Sequence, residues 1–185
     1  MKKHIIKGFV VMGAVTVIAL SAIGLQGCKI QIEKDFLRLH IRANSNSAAD
    51  QDVKYLVKQQ VVNELTPMFV GIVSKGEAMD MLAENLPLIE QTANTVLQEQ
   101  GFDYAARVAL KSEHFPTRAY SGPRNVEVVL PEGLYDALVI ELGEGMGDNW
   151  WCVVYPPLCF LENNIGGDQG VKYRSKLHEI IKRVM

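Results

Sequence analysis

Histidine and cysteine are scarce in this sequence, with four and three residues respectively among 185. His4, His40, His114 and His178 lack the paired spacing of metal ligands, so we expect no metal site. The glycine-rich run at residues 143–147 is not followed by a Gly-Lys step and a hydroxyl residue, which excludes a phosphate-binding loop of that type. We therefore expect no bound cofactor.

A basic stripe is also absent. The chain has 19 basic and 21 acidic residues, and its net charge is −2. Without the first 27 residues, which contain Lys2, Lys3 and Lys7, 16 basic residues face 21 acidic ones and the net charge is −5. Such a domain has no surface that neutralises phosphates, so a nucleic-acid partner is disfavoured. The remaining length of about 158 residues is enough for one domain with a core.

The N-terminus contains the one long uncharged run. Three lysines precede residues 8–25, which carry no charge and approach the length of a membrane-spanning helix. We expect residues 1–27 to be a signal peptide or N-terminal membrane anchor and residues 28–185 to form an exported domain. The run ends in Leu25-Gln26-Gly27-Cys28, which is similar to a bacterial lipobox. Lipidation of Cys28, an uncleaved transmembrane anchor and simple cleavage are all open.

The next stretch predicts a strand followed by a helix. Residues 36–42 alternate in polarity, as a strand with one buried face does. Its polar face carries Arg38, His40 and Arg42. Ser47 and Asp50 then form a capping box, which predicts the start of a helix. The apolar stripe of this helix comprises Val53, Leu56, Val57, Val61 and Leu65.

Proline and serine mark the next boundaries. Thr66-Pro67 predicts a break, followed by a short helix through Val73. A second capping box at Ser74 begins a long helix, and its apolar spacing continues in phase across Pro87, so we expect a kink or two abutting helices. Gly101 is the expected end. The stripe comprises Met79, Leu82, Leu86, Ile89, Ala93 and Val96.

Beyond Gly101 the period becomes two. Residues 104–113 predict a strand with one exposed face, which residues 114–118 interrupt before a loop at residues 121–123. Residues 126–130 and 134–142 predict two strands joined as a hairpin. The second is apolar on both sides, with Leu134, Leu138, Ile140 and Leu142 opposite Ala137 and Val139. We therefore expect this strand to be central.

The chain closes with a loop at residues 163–168 and an amphipathic helix. The apolar residues of that helix are Tyr173, Leu177, Ile180, Ile181 and Val184. The order of elements predicts an α+β fold, in which an N-terminal membrane or signal helix precedes a mainly antiparallel sheet with helices covering one face.

Residues 144–160 combine adjacent tryptophans, two cysteines and a Pro-Pro step. In an exported domain Cys152 and Cys159 are expected to pair as a disulfide, since the residues between them can turn. The alternative is a thiol hydrolase in which His40 or His114 activates Cys152. A cell-wall hydrolase using Glu144 or Asp148 is a further alternative, although a solvated loop explains these carboxylates better.

Four blocks of sequence resemble the stage II sporulation protein R family of endospore-forming Firmicutes. They are LHIRANSNS at residues 39–47 followed by Asp50-Gln51, HFPTR at 114–118, LPEGLYDAL at 130–138, and Gly143-Glu144-Gly145 with NWWCVVYPPLCF at 149–160. The resemblance covers essentially the whole exported part, and the last block is the most specific.

This resemblance implies a signalling protein and not an enzyme. Members are made in the forespore and exported into the space that faces the mother cell. There they switch on a membrane-embedded aspartic protease, which removes the pro-sequence of sigma factor E. The expected partners are thus this protease and, through the N-terminal segment, the membrane.

We expect the protease to be bound by a rigid aromatic face formed by Trp150, Trp151 and the Pro156-Pro157 turn. Polar contacts are expected from Arg38, His40, Arg42 and Asn44. The alternative is that both tryptophans lie in the core, because tryptophan is highly buried on average.

Overall fold

The computed structural model describes residues 35–121 and 127–160. The elements are β1 (Leu37–Arg42), α1 (Ala48–Met68), α2 (Lys75–Glu99), β2 (Ala106–Phe115), β3 (Arg118–Ser121), β4 (Glu127–Leu130), β5 (Gly133–Leu142), β6 (Asn149–Tyr155) and a short 3-10 helix, Leu158–Phe160. In these two ranges no helix is long and apolar enough to cross a bilayer. Several predictions lie outside the described residues: the segment 1–27, Cys28, residues 122–126 of the loop and strand, the loop at 163–168 and the closing helix.

Four strands form a mixed sheet in the order β2-β5-β1-β6. β5 runs antiparallel to β2 and parallel to β1, and β1 runs antiparallel to β6. The predicted α+β class and the central position of β5 are confirmed. The predicted hairpin between residues 126–130 and 134–142 is wrong, because β4 pairs with β3 in a separate two-stranded ribbon. Glu132 donates its N–H to Thr117 Oγ1. This bond joins the two short segments that connect the ribbon to the sheet, residues 116–117 and 131–132.

Both helices pack on one face of the sheet, here called the first face. Leu37, Leu39 and Ile41 of β1 are fully buried there, because alternate residues of a strand point to the same side. The predicted stripe of α1 is confirmed except for Leu56, which is 42% exposed, whereas Val62 is buried. The stripe of α2 is confirmed, with Met79 and Leu86 partly buried at its margin.

The second face of the sheet is covered as well, at the end where the β3–β4 ribbon lies. Its cluster comprises Phe36, Phe115, Val128, Leu130, Tyr135, Ala137, Val139, Val153 and Leu158. Arg38 is 0% exposed and His40 is 5% exposed, so the prediction that β1 has only one buried face is wrong. Leu134, predicted to be buried, is 61% exposed at the start of β5.

Neither proline inside a helical stretch ends its helix. The predicted break at Thr66-Pro67 is wrong: α1 continues through Pro67 to Met68. Residues 69–71 form a turn and residues 72–73 are irregular, so there is no second short helix. A proline in the last turn removes one backbone hydrogen bond, and the cap at Phe69 still donates to the Leu65 carbonyl. α2 is one element through Pro87.

The glycine-rich loop between β5 and β6 lies against the loop that leaves β1. Met146 donates its N–H to the Asn44 carbonyl, and Gly147 donates to the Ala43 carbonyl at 2.8 Å. A Cβ atom on Gly147 would lie 2.2 Å from the Ser45 carbonyl oxygen, which is closer than real Cβ contacts come. This close approach of two backbones requires glycine at position 147.

Gly147→Ala is therefore expected to destabilise the fold by about 1–3 kcal/mol, because the loops must separate to admit a methyl group. Urea unfolding of the purified protein measures this. Gly76→Ala is the matched control, since its nearest neighbour would be Ser74 Oγ at 3.9 Å. In the first turn of α2 this change should be neutral or slightly stabilising. Equal stability of the two variants would contradict the interlocked arrangement.

Candidate functional site

The two adjacent tryptophans of β6 lie on opposite faces of the sheet. Trp150 packs at the margin of the first-face cluster, and Trp151 packs at the margin of the second-face cluster. Both are partly exposed. The prediction of one face containing both rings is wrong, since consecutive residues of a strand point in opposite directions. The alternative prediction, that both lie in the core, is met only in part, because each ring packs against a core cluster but stays partly exposed.

Each tryptophan has a cationic side chain over its ring. Lys58 Nζ lies 5.3 Å from the centre of the Trp150 ring, and the Arg118 guanidinium carbon lies 4.1 Å from that of Trp151. Trp151 also stacks on His40, with ring centres 5.5 Å apart. These contacts hold both rings in one orientation while leaving part of each accessible.

The turn after β6 is clamped and buried. Cys152 and Cys159 form a disulfide with a Cα–Cα distance of 5.9 Å, as the sequence predicted. Pro156 and Pro157 are buried, and the Tyr155-Pro156 peptide bond is cis. The Pro-Pro step is therefore packed inside the turn after β6. Its expected role as part of an exposed docking face is wrong.

His40 belongs to a hydrogen-bonded cluster on the second face. Its Nδ1 lies 2.6 Å from Glu113 Oε2, and its Nε2 lies 2.8 Å from Asn149 Oδ1. Glu113 Oε1 accepts a further bond from Arg42. Both ring nitrogens are thus occupied, and His40 links β1 to β2 through Glu113 and to β6 through Asn149. Sequence reasoning did not identify Glu113, because its partners come from another strand.

Arg38 is enclosed by aromatic rings. Its guanidinium carbon lies 4.0 Å from the centre of the Phe115 ring and 5.0 Å from that of Tyr135. Nη2 donates to the Tyr120 hydroxyl, while Nε and Nη1 have no hydrogen-bond partner among the described residues. Burial lowers the pKa of Arg38, and the nearby Tyr120 opposes that shift. The expected direct contact of Arg38 with a partner is inconsistent with this burial.

Arg42 lies where the second face opens to solvent. Arg42 Nη1 donates to Glu141 at 2.9 Å, and Arg107 and Lys111 of β2 lie 3.8 Å and 3.3 Å from the same carboxylate. Burial alone would raise the pKa of Glu141, but these cations lower it. Three cations therefore surround Glu141, and one of them, Arg42, is shared with Glu113.

Asn44 lies in a polar network that joins β1, α1 and the glycine-rich loop. Its side chain accepts from the Glu144 N–H at 2.9 Å and donates to Asp50 at 3.1 Å. Asp50 also accepts from Ser45 and from the Tyr104 hydroxyl. Asn44 thus has an internal structural role rather than the partner contact that the sequence suggested.

Lys54 and Asp50 are buried members of this network that sequence reasoning did not assign. Lys54 Nζ donates to Gln51 Oε1 at 2.6 Å and to the Asp148 carbonyl at 3.0 Å. Burial lowers the pKa of Lys54, and the nearby Asp148 offsets only part of this shift. The capping box indicated Asp50 as a helix start, and the structure confirms that Ser47 accepts from the Asp50 N–H. The bond that the Asp50 carboxylate accepts from Tyr104, in contrast, is a tertiary contact.

The described polar groups do not form a thiol active site. The sulfur of Cys152 is bonded to Cys159, and Cys152 packs in the first-face cluster, whereas His40 points to the second face. His114 is exposed and lies 3.7 Å from Glu132. The alternative of a Cys152 nucleophile activated by either histidine is therefore wrong. Across residues 35–121 and 127–160, no three His, Cys, Asp or Glu side chains are grouped to hold a metal ion.

Asp50→Ala is expected to lower the free energy of unfolding by about 2–4 kcal/mol at pH 7, because Tyr104, Ser45 and Asn44 lose their acceptor. Burial alone would raise the pKa of Asp50, but the hydrogen bonds bring it below 3.8. The stabilisation that the ionised carboxylate provides is therefore fully present above the pKa of the unfolded state. It is lost as the pH falls through the lower pKa of the folded state.

Urea unfolding at a series of pH values tests this expectation. The stability difference between wild type and Asp50→Ala should narrow as the solution is made more acidic than about pH 4. Asp52→Ala, an exposed aspartate in the same turn of α1, should change stability by no more than about 0.5 kcal/mol. A difference that is independent of pH would contradict the role of the ionised carboxylate.

Comparison with known proteins places this chain in a family. The family model described as stage II sporulation protein R matches residues 33–165. The stage II sporulation protein R of Bacillus subtilis (strain 168) is 36% identical over 137 residues, which is 74% of this chain and 59% of the relative. The chain thus spans about three fifths of the length of that relative. No solved structure matches it. Because the family model covers well over half of the sequence, this chain belongs to the stage II sporulation protein R family.

Proposed function

We propose that this chain is an exported sporulation signal that activates a membrane-embedded aspartic protease by binding to it. The protease then removes the pro-sequence of sigma factor E. Membership in the stage II sporulation protein R family is the observation that carries this proposal. In this function the chain leaves the forespore and reaches the intermembrane space, with residues 1–27 serving as a signal peptide or as a membrane anchor.

Activation by contact agrees with how the described side chains are used. Asp50, Lys54, His40 and Glu113 are held in internal hydrogen bonds that join strands, helix and loop. Cys152 is oxidised. A ligand of this kind needs a rigid surface more than a reactive group, because it acts by favouring one state of its partner.

The proposed docking surface consists of Trp151, Arg118 and Asn149, here called the Trp151 surface. Arg118 and Asn149 are exposed, and Trp151 is partly exposed between His40 and Arg118. Tryptophan and arginine are the residue types most enriched at the energetic centres of interfaces. Because stacking already fixes the Trp151 ring, little side-chain freedom is lost when a partner binds.

Site-specific photocrosslinking from position 151 is expected to give an adduct with the protease, because a probe there projects from the second face. Position 150 is the matched control, since a probe there projects from the first face of the same strand. The adducts are resolved by gel electrophoresis and mass spectrometry. An adduct from position 150 alone, with signalling intact in both variants, would move the docking surface to the first face.

The same surface is tested by loss of function. In proteoliposomes containing the protease and pro-sigma E, Trp151→Ala should reduce the rate of processing at least about tenfold, as the loss of an interface centre does. Circular dichroism checks that the variant is folded. An unchanged rate of pro-sigma E processing in the presence of the folded variant would exclude Trp151 from the interface.

The disulfide separates the signalling proposal from the hydrolase alternative. Cys152→Ser with Cys159→Ser should lower stability by about 2–3 kcal/mol, the chain-entropy contribution of so short a loop. Processing should persist below the melting temperature, because the sulfur atoms have no chemical role. If the folded double variant no longer supported pro-sigma E processing, the expectation that the sulfur atoms have no chemical role would be contradicted.

The carboxylates of the other hydrolase alternative are tested in the same assay. Glu144 and Asp148 are exposed on the glycine-rich loop. If the chain acts by binding, the protease should process pro-sigma E at the wild-type rate when it is activated by Glu144→Gln or by Asp148→Asn. A loss of processing with unchanged crosslinking from position 151 would favour a reaction catalysed by this chain.

A further inference from the structure

The edge of β2 is divided into a covered half and an open half. Ala106 donates its N–H to Asn94 Oδ1 at 2.8 Å, and Val108 donates its N–H to Glu90 Oε2 at 3.1 Å. Both acceptors belong to α2. An N–H that bonds to α2 points away from β5, so these even-numbered residues direct their backbone groups outward from the sheet.

The rest of the strand continues this pattern without a cover. The pairing of β2 with β5 is continuous from Ala106 to Phe115, so Leu110, Ser112 and His114 also direct their N–H and C=O groups outward. Within the described part of the chain, no protein group bonds to these three N–H groups. Ser112 and His114 are exposed, and Leu110 is partly exposed. An open strand edge of this kind is a template for another strand.

The side chains along this open half are self-complementary. In antiparallel pairing about a twofold axis at Ser112, Ser112 faces its own copy and Leu110 faces His114 of the other copy. Lys111 of each chain then lies opposite Glu113 of the other, on the second face. Opposite charges directly across two strands stabilise their pairing. Lys111 is 42% exposed, and Glu113 is already oriented by His40 and Arg42.

Alternative registers are less favourable. Moving the axis to Lys111 would place the two Lys111 side chains opposite each other, which is repulsive. Moving it to Leu110 would require the N–H of Val108, which Glu90 already occupies. The register centred on Ser112 uses only residues that α2 leaves open.

We propose that two copies of this chain associate through the open half of β2, forming a twofold dimer with a continuous eight-stranded sheet centred on Ser112. The partner is a second copy because the alternation of Lys111 and Glu113 matches itself when reversed. The inference is independent of the proposed function. In the context of that function, the dimer presents two copies of the Trp151 surface to the protease.

Sedimentation velocity of the full-length chain in a mild detergent tests the dimer. Wild type is expected to show a concentration-dependent monomer–dimer equilibrium. Ser112→Pro should be monomeric, because proline removes an outward N–H and leaves the ladder with β5 intact. Lys111→Glu should weaken dimerisation at least tenfold by opposing Glu113 of the other copy. The matched control Arg107→Glu changes the same charge beside Glu141 but outside the paired segment, and should have less than a twofold effect.

Oxidative crosslinking tests the register. In a Cys28→Ser background, Ser112→Cys should form a disulfide-linked dimer, because hydrogen-bonded pairs bring Cα atoms to about 5.5 Å. Lys111→Cys should crosslink at least tenfold more slowly, because its own copy is not directly opposite. A wild-type protein that is monomeric at every soluble concentration would overturn the proposal. So would a dimer that persists in Ser112→Pro, or equal crosslinking at positions 111 and 112.

Discussion

The burial of one carboxylate, that of Asp50, constrains the region where the end of β1, the start of α1 and the glycine-rich loop meet. A buried carboxylate is tolerated only when donors surround it, and here Tyr104, Ser45 and Asn44 supply them. Asn44 in turn accepts from the backbone of the glycine-rich loop. That loop leads directly into β6, so the position of both tryptophans depends on this network. Asn44 and Asp50 therefore organise the site through internal hydrogen bonds.

The sheet separates two kinds of environment. The first face is apolar where α1 and α2 cover it. The second face changes from an aromatic enclosure around Arg38 to an open group of charges around Glu141, with His40 at the boundary. Trp151 lies on this boundary and Trp150 lies on the other side of the sheet. A partner that approaches one face thus meets only one tryptophan.

Patterns that depend on neighbouring residues were predictable. The capping boxes at Ser47 and Ser74 begin the two helices, and the apolar stripes of those helices are buried. The paired cysteines form a disulfide. Predictions that required knowledge of strand partners were wrong: β4 pairs with β3 rather than β5, and Arg38 of β1 bonds to Tyr120 of the ribbon, 82 residues away in sequence. A strand's own alternation identifies two faces but not what covers each of them.

The sequence by itself determined the starts and apolar stripes of α1 and α2, the α+β class, the family and the residue types of the candidate site. Tertiary structure alone decided which of those residues are accessible. Pro156-Pro157, Arg38 and Asn44 have the chemistry of recognition but are used internally, whereas Trp151 and Arg118 become neighbours only when the ribbon folds over the second face. The physical reason is that helix caps and stripes arise from contacts within a few residues. Burial and hydrogen-bond partners, in contrast, are set by strands that meet from distant parts of the chain.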